Sequence, residues 1–145
     1  MQHQWIIVAD AAHARIFATV PPATRLRELH DLSHPESQRY ARQLRTGGKG
    51  EVMDSAGSGQ HQADPQTSQS EKHAERFAKE ICEFLQQKRD AGAFDSLVLV
   101  AEPKVLGRLR DNLDQRTAQL VADSIDKNWA KHDASQIEKL LANRQ

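Results

Sequence analysis

Apolar residues open the chain in two short runs. Residues 5–9 (WIIVA) are apolar and partly β-branched, and a second run follows at residues 14–20, which ends before Pro21. Runs of this length and composition are typical of buried strands rather than helices. The connection between the runs, residues 10–13, is short. The pattern therefore predicts an antiparallel hairpin.

The next segment, residues 25–32, fits two kinds of element. Leu26, Leu29 and Leu32 lie at a spacing of three, which is compatible with a short helix. A third strand of a meander is the alternative, because hairpins often continue into meanders. We favour the strand.

A long polar segment follows, at about residues 45–70. Its large apolar residues are Val52 and Met53, and five of the seven glycines of the chain fall within it. Such a segment buries too little apolar surface to offset the entropy lost on ordering. Unstructured segments of this length are uncommon inside compact domains. The sequence therefore predicts a mobile Gly-, Ser- and Gln-rich loop here.

The clearest helical pattern begins after this segment. Residues 68–71 (SQSE) match a capping box, and Gly92 is a plausible stop. Between them, apolar residues recur at helical spacing and form one stripe: Ala74, Phe77, Ala78, Ile81, Cys82 and Leu85. We expect this stripe to pack on a sheet.

The remaining segments alternate between strand and helix. Residues 96–101 (SLVLVA) are uniformly apolar, as in a strand covered on both faces. Pro103 suits the first turn of a following helix, and residues 120–126 predict a weaker strand. A second S-x-x-E pattern at residues 135–138 predicts the start of a closing helix.

The predicted order is β-β-β-loop-α-β-α-β-α, in a single domain that spans residues 1–145. Strands and helices in this order predict an α/β fold, with a mixed β-sheet and helices packed on it. A length of 145 residues agrees with one domain around one core.

Composition narrows the class of protein. The chain has 20 basic and 20 acidic residues, a mean hydropathy of −0.72, and neither a signal peptide nor an apolar run long enough to cross a membrane. A formal charge of zero argues against a globally basic nucleic-acid binder, although it leaves room for a local patch. The single cysteine, Cys82, excludes an intramolecular disulfide and a multi-cysteine metal site. We therefore expect a cytoplasmic protein without a cofactor, a metal or a membrane partner; the oligomeric state is not indicated.

Two places carry candidate chemistry. Asp10 and His13 lie in the tight connection between the first two strands and could form an acid–base pair. The alternative, which we favour, is that Asp10 accepts hydrogen bonds from amides of the turn. The second place is the helix that starts near Pro103, since helix N-termini that follow buried strands bind anions. Three basic residues lie there: Lys104, Arg108 and Arg110. A solvated helix face is the simpler interpretation of these three.

The chain resembles the bacterial host attachment proteins, which are described as required for attachment to host cells. Four segments carry the resemblance in the right order along the chain: residues 5–17 (WIIVADAAHARIF), 34–37 (HPES), 94–103 (FDSLVLVAEP) and 106–110 (LGRLR). That family is similar in turn to the middle domain of archaeal and eukaryotic class-1 release factors and of Pelota. The resemblance implies a ribonuclease-H-like mixed α/β fold.

In those release factors, a Gly-Gly-Gln loop precedes a long helix and reaches the peptidyl-transferase centre. Here the predicted loop also precedes the long helix and contains Gly57, Ser58, Gly59 and Gln60. Ser58 replaces one glycine of that motif, so Gly59 and Gln60 are the positions that correspond to it. A coincidental Gly-Gln in a Gln-rich loop is the alternative. If the loop approaches RNA, phosphate contacts would come from nearby basic residues: Arg42, Arg45 and Lys49.

The sequence thus favours a ribosome- or RNA-associated cytoplasmic factor that is non-enzymatic and affects attachment indirectly. Two other functions stay open: a small hydrolase that uses Asp10, His13 and Gln60, and a protein-interaction module.

Overall fold

The computed structural model describes residues 3–20, 25–33 and 59–143, with the backbone alone at residue 20 and at residues 59–68. The strands are β1 (Gln4–Ala9), β2 (His13–Val20), β3 (Arg25–Ser33), β4 (Ser96–Val100) and β5 (Val121–Ile125). The helices of the described ranges are α1 (Gly59–Asp90), α2 (Pro103–Asn112), α3 (Gln115–Ala118) and α4 (Ala134–Asn143).

The strands form one mixed sheet in the order β3-β2-β1-β4-β5. β1 is parallel to β4, β4 is parallel to β5, and β2 is antiparallel to both of its neighbours. Helices pack on this sheet, so the predicted α/β fold with a mixed β-sheet is confirmed. Among the elements of the described ranges, the predicted order of strands and helices also holds, with one addition. The four-residue helix α3 was not expected, because a single helical turn leaves no periodic pattern.

The third segment is a strand, and a β-bulge explains its helix-like leucine spacing. Ile16 lies opposite His30 and Phe17 lies opposite Glu28, so Leu29 is an extra residue in β3. A bulge shifts the alternation of side chains between the two faces of a sheet. As a result, Leu26 packs on one face of the sheet, whereas Leu29 packs on the other.

The predicted start of the long helix is wrong. Helix α1 begins at Gly59, so residues 59–70 are helical where a loop was expected, and the SQSE segment lies inside the helix. Sequence reasoning misplaced this start because Pro65, which disfavours a helix interior, lies between Gly59 and the box. Residues 45–58 of the expected loop lie outside the described residues, and the mobility of the segment stays a prediction.

The second S-x-x-E pattern is not a capping box either. Helix α4 is capped two residues earlier: the Gln136 amide donates to Asp133 Oδ1 at 2.8 Å, and the Asp133 amide donates to Gln136 Oε1 at 2.9 Å. This reciprocal pair is the capping-box geometry with Asp and Gln in place of Ser and Glu. Glu138 Oε2 instead accepts a hydrogen bond from the Leu26 amide of β3 at 2.7 Å.

A core lies on each face of the sheet. On the first face, helices α1 and α2 cover apolar residues of the central strands; the predicted core residues Phe77, Ile81, Leu97 and Leu99 are buried there, as expected. On the second face, α4 and the segment after β5 cover a smaller core that contains Phe17, Val100, Ile125, Trp129 and Ile137. Because β4 lies between the two cores, its uniformly apolar sequence is explained.

Candidate functional site

Several polar residues, among them the candidates Asp10 and His13, lie at one edge of the sheet. In the parallel pair of β1 and β4, Val8 lies opposite Val100, so Asp10 and Glu102 follow neighbouring strand ends. β2 begins at this edge with His13, and β3 ends there. Ligands of open α/β sheets bind outside the carboxyl ends of the parallel strands, so this edge is the candidate site.

Asp10 accepts hydrogen bonds from the amides of its own turn. Its Oδ1 accepts hydrogen bonds from the amides of Ala12 at 2.9 Å and His13 at 2.8 Å. The Asp10 amide in turn donates to the His13 carbonyl at 2.8 Å. A carboxylate used in this way holds the connection between β1 and β2 in one conformation. This arrangement agrees with the simpler of the two interpretations of Asp10.

His13 forms a side-chain pair, but with a residue that the sequence did not suggest. Its Nε2 contacts Oδ1 of Asp31 on β3, and the two side chains are 38% and 55% exposed. No hydrogen bond joins the side chains of Asp10 and His13, both of which are described. An exposed pair of this kind contributes little to stability. Only the pairing of β2 with β3 brings Asp31 to His13, so no local signal could have revealed it.

Gly59 and Gln60 are the first two residues of α1. Helices α1 and α2 run in the same direction, because Glu71 contacts Lys104 and Glu75 contacts Arg108. At 1.5 Å per residue, Gln60 lies about 16 Å along the helix axis before Glu71. The start of α1 therefore extends beyond the start of α2, on the side of the sheet edge that carries Asp10. Gly57 lies outside the described residues.

The cations of α2 are drawn towards α1. Lys104 Nζ lies 3.1 Å from Glu71 Oε2, and Arg108 Nε lies 3.6 Å from Glu75 Oε2. Arg110 is exposed on another side of the helix. The three candidate anion-binding residues thus do not converge on the N-terminus of α2. The other three candidates, Arg42, Arg45 and Lys49, lie outside the described residues.

Sequence reasoning missed a row of basic residues on α1. Lys72, Arg76 and Lys79 are exposed and follow one another at positions i, i+4 and i+7, which share a helix face. That spacing was readable from the sequence. Acidic residues at neighbouring positions obscure it; one of them, Glu75, lies four residues before Lys79 but contacts α2.

Two further groups have perturbed pKa values. Cys82 Sγ donates to the Leu109 carbonyl at 3.3 Å, and burial, reinforced by neighbouring carboxylates such as Asp114, raises the pKa of this thiol to about 12. Such a thiol is a packing group rather than a nucleophile or a metal ligand. His30 packs against Trp5 and Phe84, with ring centroids 5.6 and 5.0 Å apart. Desolvation, reinforced by the charge of Lys88, lowers the pKa of His30.

The described residues contain neither a metal-binding cluster nor a membrane-spanning helix. Within residues 3–20, 25–33 and 59–143, no group of three or more His, Cys, Asp or Glu side chains is placed to hold a metal ion. Among the helices in that same part of the chain, none is long and apolar enough to cross a membrane.

Comparisons with known proteins identify a structural neighbour and a family. The crystal structure of an archaeal translation termination factor matches over 98% of this chain and 38% of that one, with 14% identity and a TM-score of 0.46. The chain thus spans well under half the length of that protein. A comparison with curated proteins found no match. The family model described as "protein required for attachment to host cells" matches residues 5–141. Because this match covers nearly the whole sequence, the chain belongs to the family of proteins required for attachment to host cells.

Proposed function

We propose that this protein is a non-enzymatic cytoplasmic factor that associates with the ribosome or with structured RNA and affects host attachment indirectly. One observation carries the proposal. Gly59 and Gln60 are the first residues of a 32-residue helix, and they precede Glu71, which forms an ion pair with Lys104 of α2, by more than ten residues. A Gly-Gln pair thus stands at the start of a long helix. In the release factors that the sequence resembles, a Gly-Gly-Gln segment ahead of a long helix enters the peptidyl-transferase centre.

The two residue types suit a close approach to RNA. Glycine has no side chain to keep another backbone at a distance. The glutamine amide both donates and accepts hydrogen bonds, so it matches a base edge, a ribose hydroxyl or a water molecule. The pair lies about 16 Å along the helix axis before Glu71, which contacts α2, so it is set apart from that contact.

The contacts at the sheet edge favour a non-enzymatic role over the hydrolase alternative. Asp10 already accepts two amide hydrogen bonds, and His13 is paired with Asp31. A general base needs a free acceptor within reach of the proton that it removes. His13 Nε2 is held by Asp31 and not by Asp10, so the two residues do not form the acid–base pair that the hydrolase alternative needs.

Co-sedimentation with purified ribosomes at low salt tests the association, and chemical probing of ribosomal RNA locates it. Gly59→Ala and Gln60→Ala should leave the unfolding midpoint unchanged and weaken sedimentation only slightly. Both should remove protections near the peptidyl-transferase centre. Gln62→Ala, a matched change two residues further along the same helix, should keep these protections.

Two outcomes would overturn the proposal. Failure of the wild-type protein to sediment with ribosomes at low salt would refute ribosome association. Release of peptide from peptidyl-tRNA by the wild type but not by Gln60→Ala would make the protein an enzyme.

A further inference from the structure

The N-terminal part of α1 offers almost no apolar surface for packing. Apart from Ala63 and Pro65, residues 60–73 all carry polar side chains. Among the residues of α1 whose burial is described, the first buried one is Ala74. Helices in proteins are stabilised mainly by the packing of an apolar face, so the first four turns of α1 gain little from the sheet.

Pro65 also disfavours a helix here, through the backbone itself. A proline beyond the first turn leaves the carbonyl four residues earlier without its amide partner, and its ring crowds that carbonyl. Pro65 lies six residues after Gly59 and is therefore beyond the first turn. The residue before a proline, here Asp64, is disfavoured in the helical conformation as well. An interior proline lowers the equilibrium constant for helix formation by roughly 100-fold.

A second signal for a helix start lies just after this proline. Residues 68–71 (SQSE) match a capping box, with Ser68 at the N-cap and Glu71 at the third helical position. In the structure, Glu71 instead lies 3.1 Å from Lys104 Nζ, and the two side chains are 50% and 70% exposed. An exposed ion pair of this kind contributes little, so it does not prevent Glu71 from serving a cap.

We propose that α1 exchanges between two N-terminal ends, a long form that begins at Gly59 and a short form that begins at Ser68, and that a partner of the Gly-Gln pair stabilises the long form. The structure shows the long form. Pro65 and the capping box favour the short form, in which residues 59–67 are not helical. A partner that binds the pair on a helix shifts the population towards the long form, and this part of the inference rests on the proposed function.

Carbon chemical shifts of the free, full-length protein report on the two forms, because those of residues 60–67 are helical only in the long form. In the wild type these shifts should lie between the values for coil and helix. Pro65→Ala should bring them to helical values, because it removes the roughly 100-fold penalty. Unfolding midpoints verify that each variant folds.

Two serine substitutions separate the cap from helix propensity. Ser68→Ala removes the cap of the short form, which changes an equilibrium constant by about fivefold. The ratio of long to short form should therefore rise about fivefold. Ser70→Ala is the matched control, because Ser70 is helical in both forms; it should change the ratio by less than about twofold.

Titration with purified ribosomes tests which form the partner binds. A ligand that binds one form is bound more weakly when that form is only partly populated. Pro65→Ala should therefore bind ribosomes about 3–10-fold more tightly than the wild type. Ser70→Ala should bind as the wild type does.

The remaining outcomes separate this inference from the proposed function. Fully helical shifts at residues 60–67 of the free wild type, or equal effects of the two serine substitutions, would refute the two forms. A Pro65→Ala variant that has the longer helix but binds ribosomes no more tightly would refute the partner's preference and leave ribosome association standing. No ribosome binding by the wild type would refute the proposed function together with that preference, while the chemical shifts still decide whether the two forms exchange.

Discussion

Replacing Ile81 with alanine tests how the long helix is anchored to the sheet. The Ile81 side chain is 1% exposed and lies in the core that α1 shares with the central strands. The change removes three carbon atoms, and at about 0.8 kcal/mol for each the loss of burial costs about 2.4 kcal/mol. The cavity left behind adds to this loss. We expect the free energy of unfolding to fall by about 3–4 kcal/mol, within the range of about 2–5 kcal/mol for such truncations.

Urea unfolding measures this loss with two internal reporters. Trp5 and Trp129 are 4% and 7% exposed and lie in the cores on opposite faces of the sheet. With a denaturant slope of about 2 kcal/mol per molar, the midpoint should fall by about 1.5–2 M. Coincident transitions by circular dichroism and by single-tryptophan fluorescence would establish that one cooperative unit is measured.

Glu83→Ala is the matched control, because Glu83 is exposed on the same helix. It should change the free energy of unfolding by less than about 0.5 kcal/mol. A similarly small effect of Ile81→Ala would refute the reasoning, since the apolar stripe of α1 would then face something other than the sheet.

Three further substitutions and one thiol-labelling reaction have expected outcomes. Gly107 lies inside α2 with nothing within 4 Å of an added Cβ, so Gly107→Ala should stabilise the protein by about 0.5–1 kcal/mol in urea unfolding. Gly92 has a φ of +77°, so Gly92→Ala should destabilise it by about 1–2 kcal/mol in the same assay. The hydroxyl of Thr117 holds the pKa of Asp114 below its usual value. The stability that this provides is complete above the unfolded-state pKa of about 3.9 and is lost as the pH falls through the lower folded-state pKa. Asp114→Asn should therefore lower the urea midpoint at neutral pH and flatten its decline in acid. Cys82, with a pKa raised to about 12, should react with a disulfide reagent at pH 8 only after urea is added.

Each of these expectations has a result that contradicts it. Equal effects of alanine at Gly92 and Gly107 would mean that the positive φ of the first carries no strain. An acid limb that is unchanged in Asp114→Asn would show that other carboxylates control it. Fast reaction of Cys82 in the native state would place the thiol near the surface.

The candidate site was only partly readable from the sequence. The interpretation of Asp10 as a turn acceptor needed only its position between two strands, because such hydrogen bonds join residues two or three apart. The pairing of His13 with Asp31 joins residues 18 positions apart and depends on strand register. Glu75 lies four residues before Lys79 on its own helix, yet it contacts Arg108 of α2. Local ion pairs on a helix contribute only about 0.2–0.5 kcal/mol, so helix packing decides between such partners.

Helix boundaries show the same limit. The S-x-x-E pattern occurs twice, and neither copy begins a helix. In the second copy, Glu138 accepts a hydrogen bond from the Leu26 amide of the edge strand β3, and Asp133 and Gln136 cap the helix. A capping box is worth only about 1 kcal/mol for each cap, so a nearby alternative or a tertiary contact easily replaces it.

The sequence by itself determined the fold class, because burial in strands and helices imposes periods of about 2 and 3.6 residues that any local window reveals. The apolar run of β4 and the stripe of α1 are the clearest cases, and both are buried as expected. The tertiary structure decided the bulge at Leu29 and the partners of Glu71, Glu75, Asp31 and Glu138. These features join residues that are distant along the chain, and local sequence does not favour one partner over another. Their choice follows from how the elements dock, which no local pattern encodes.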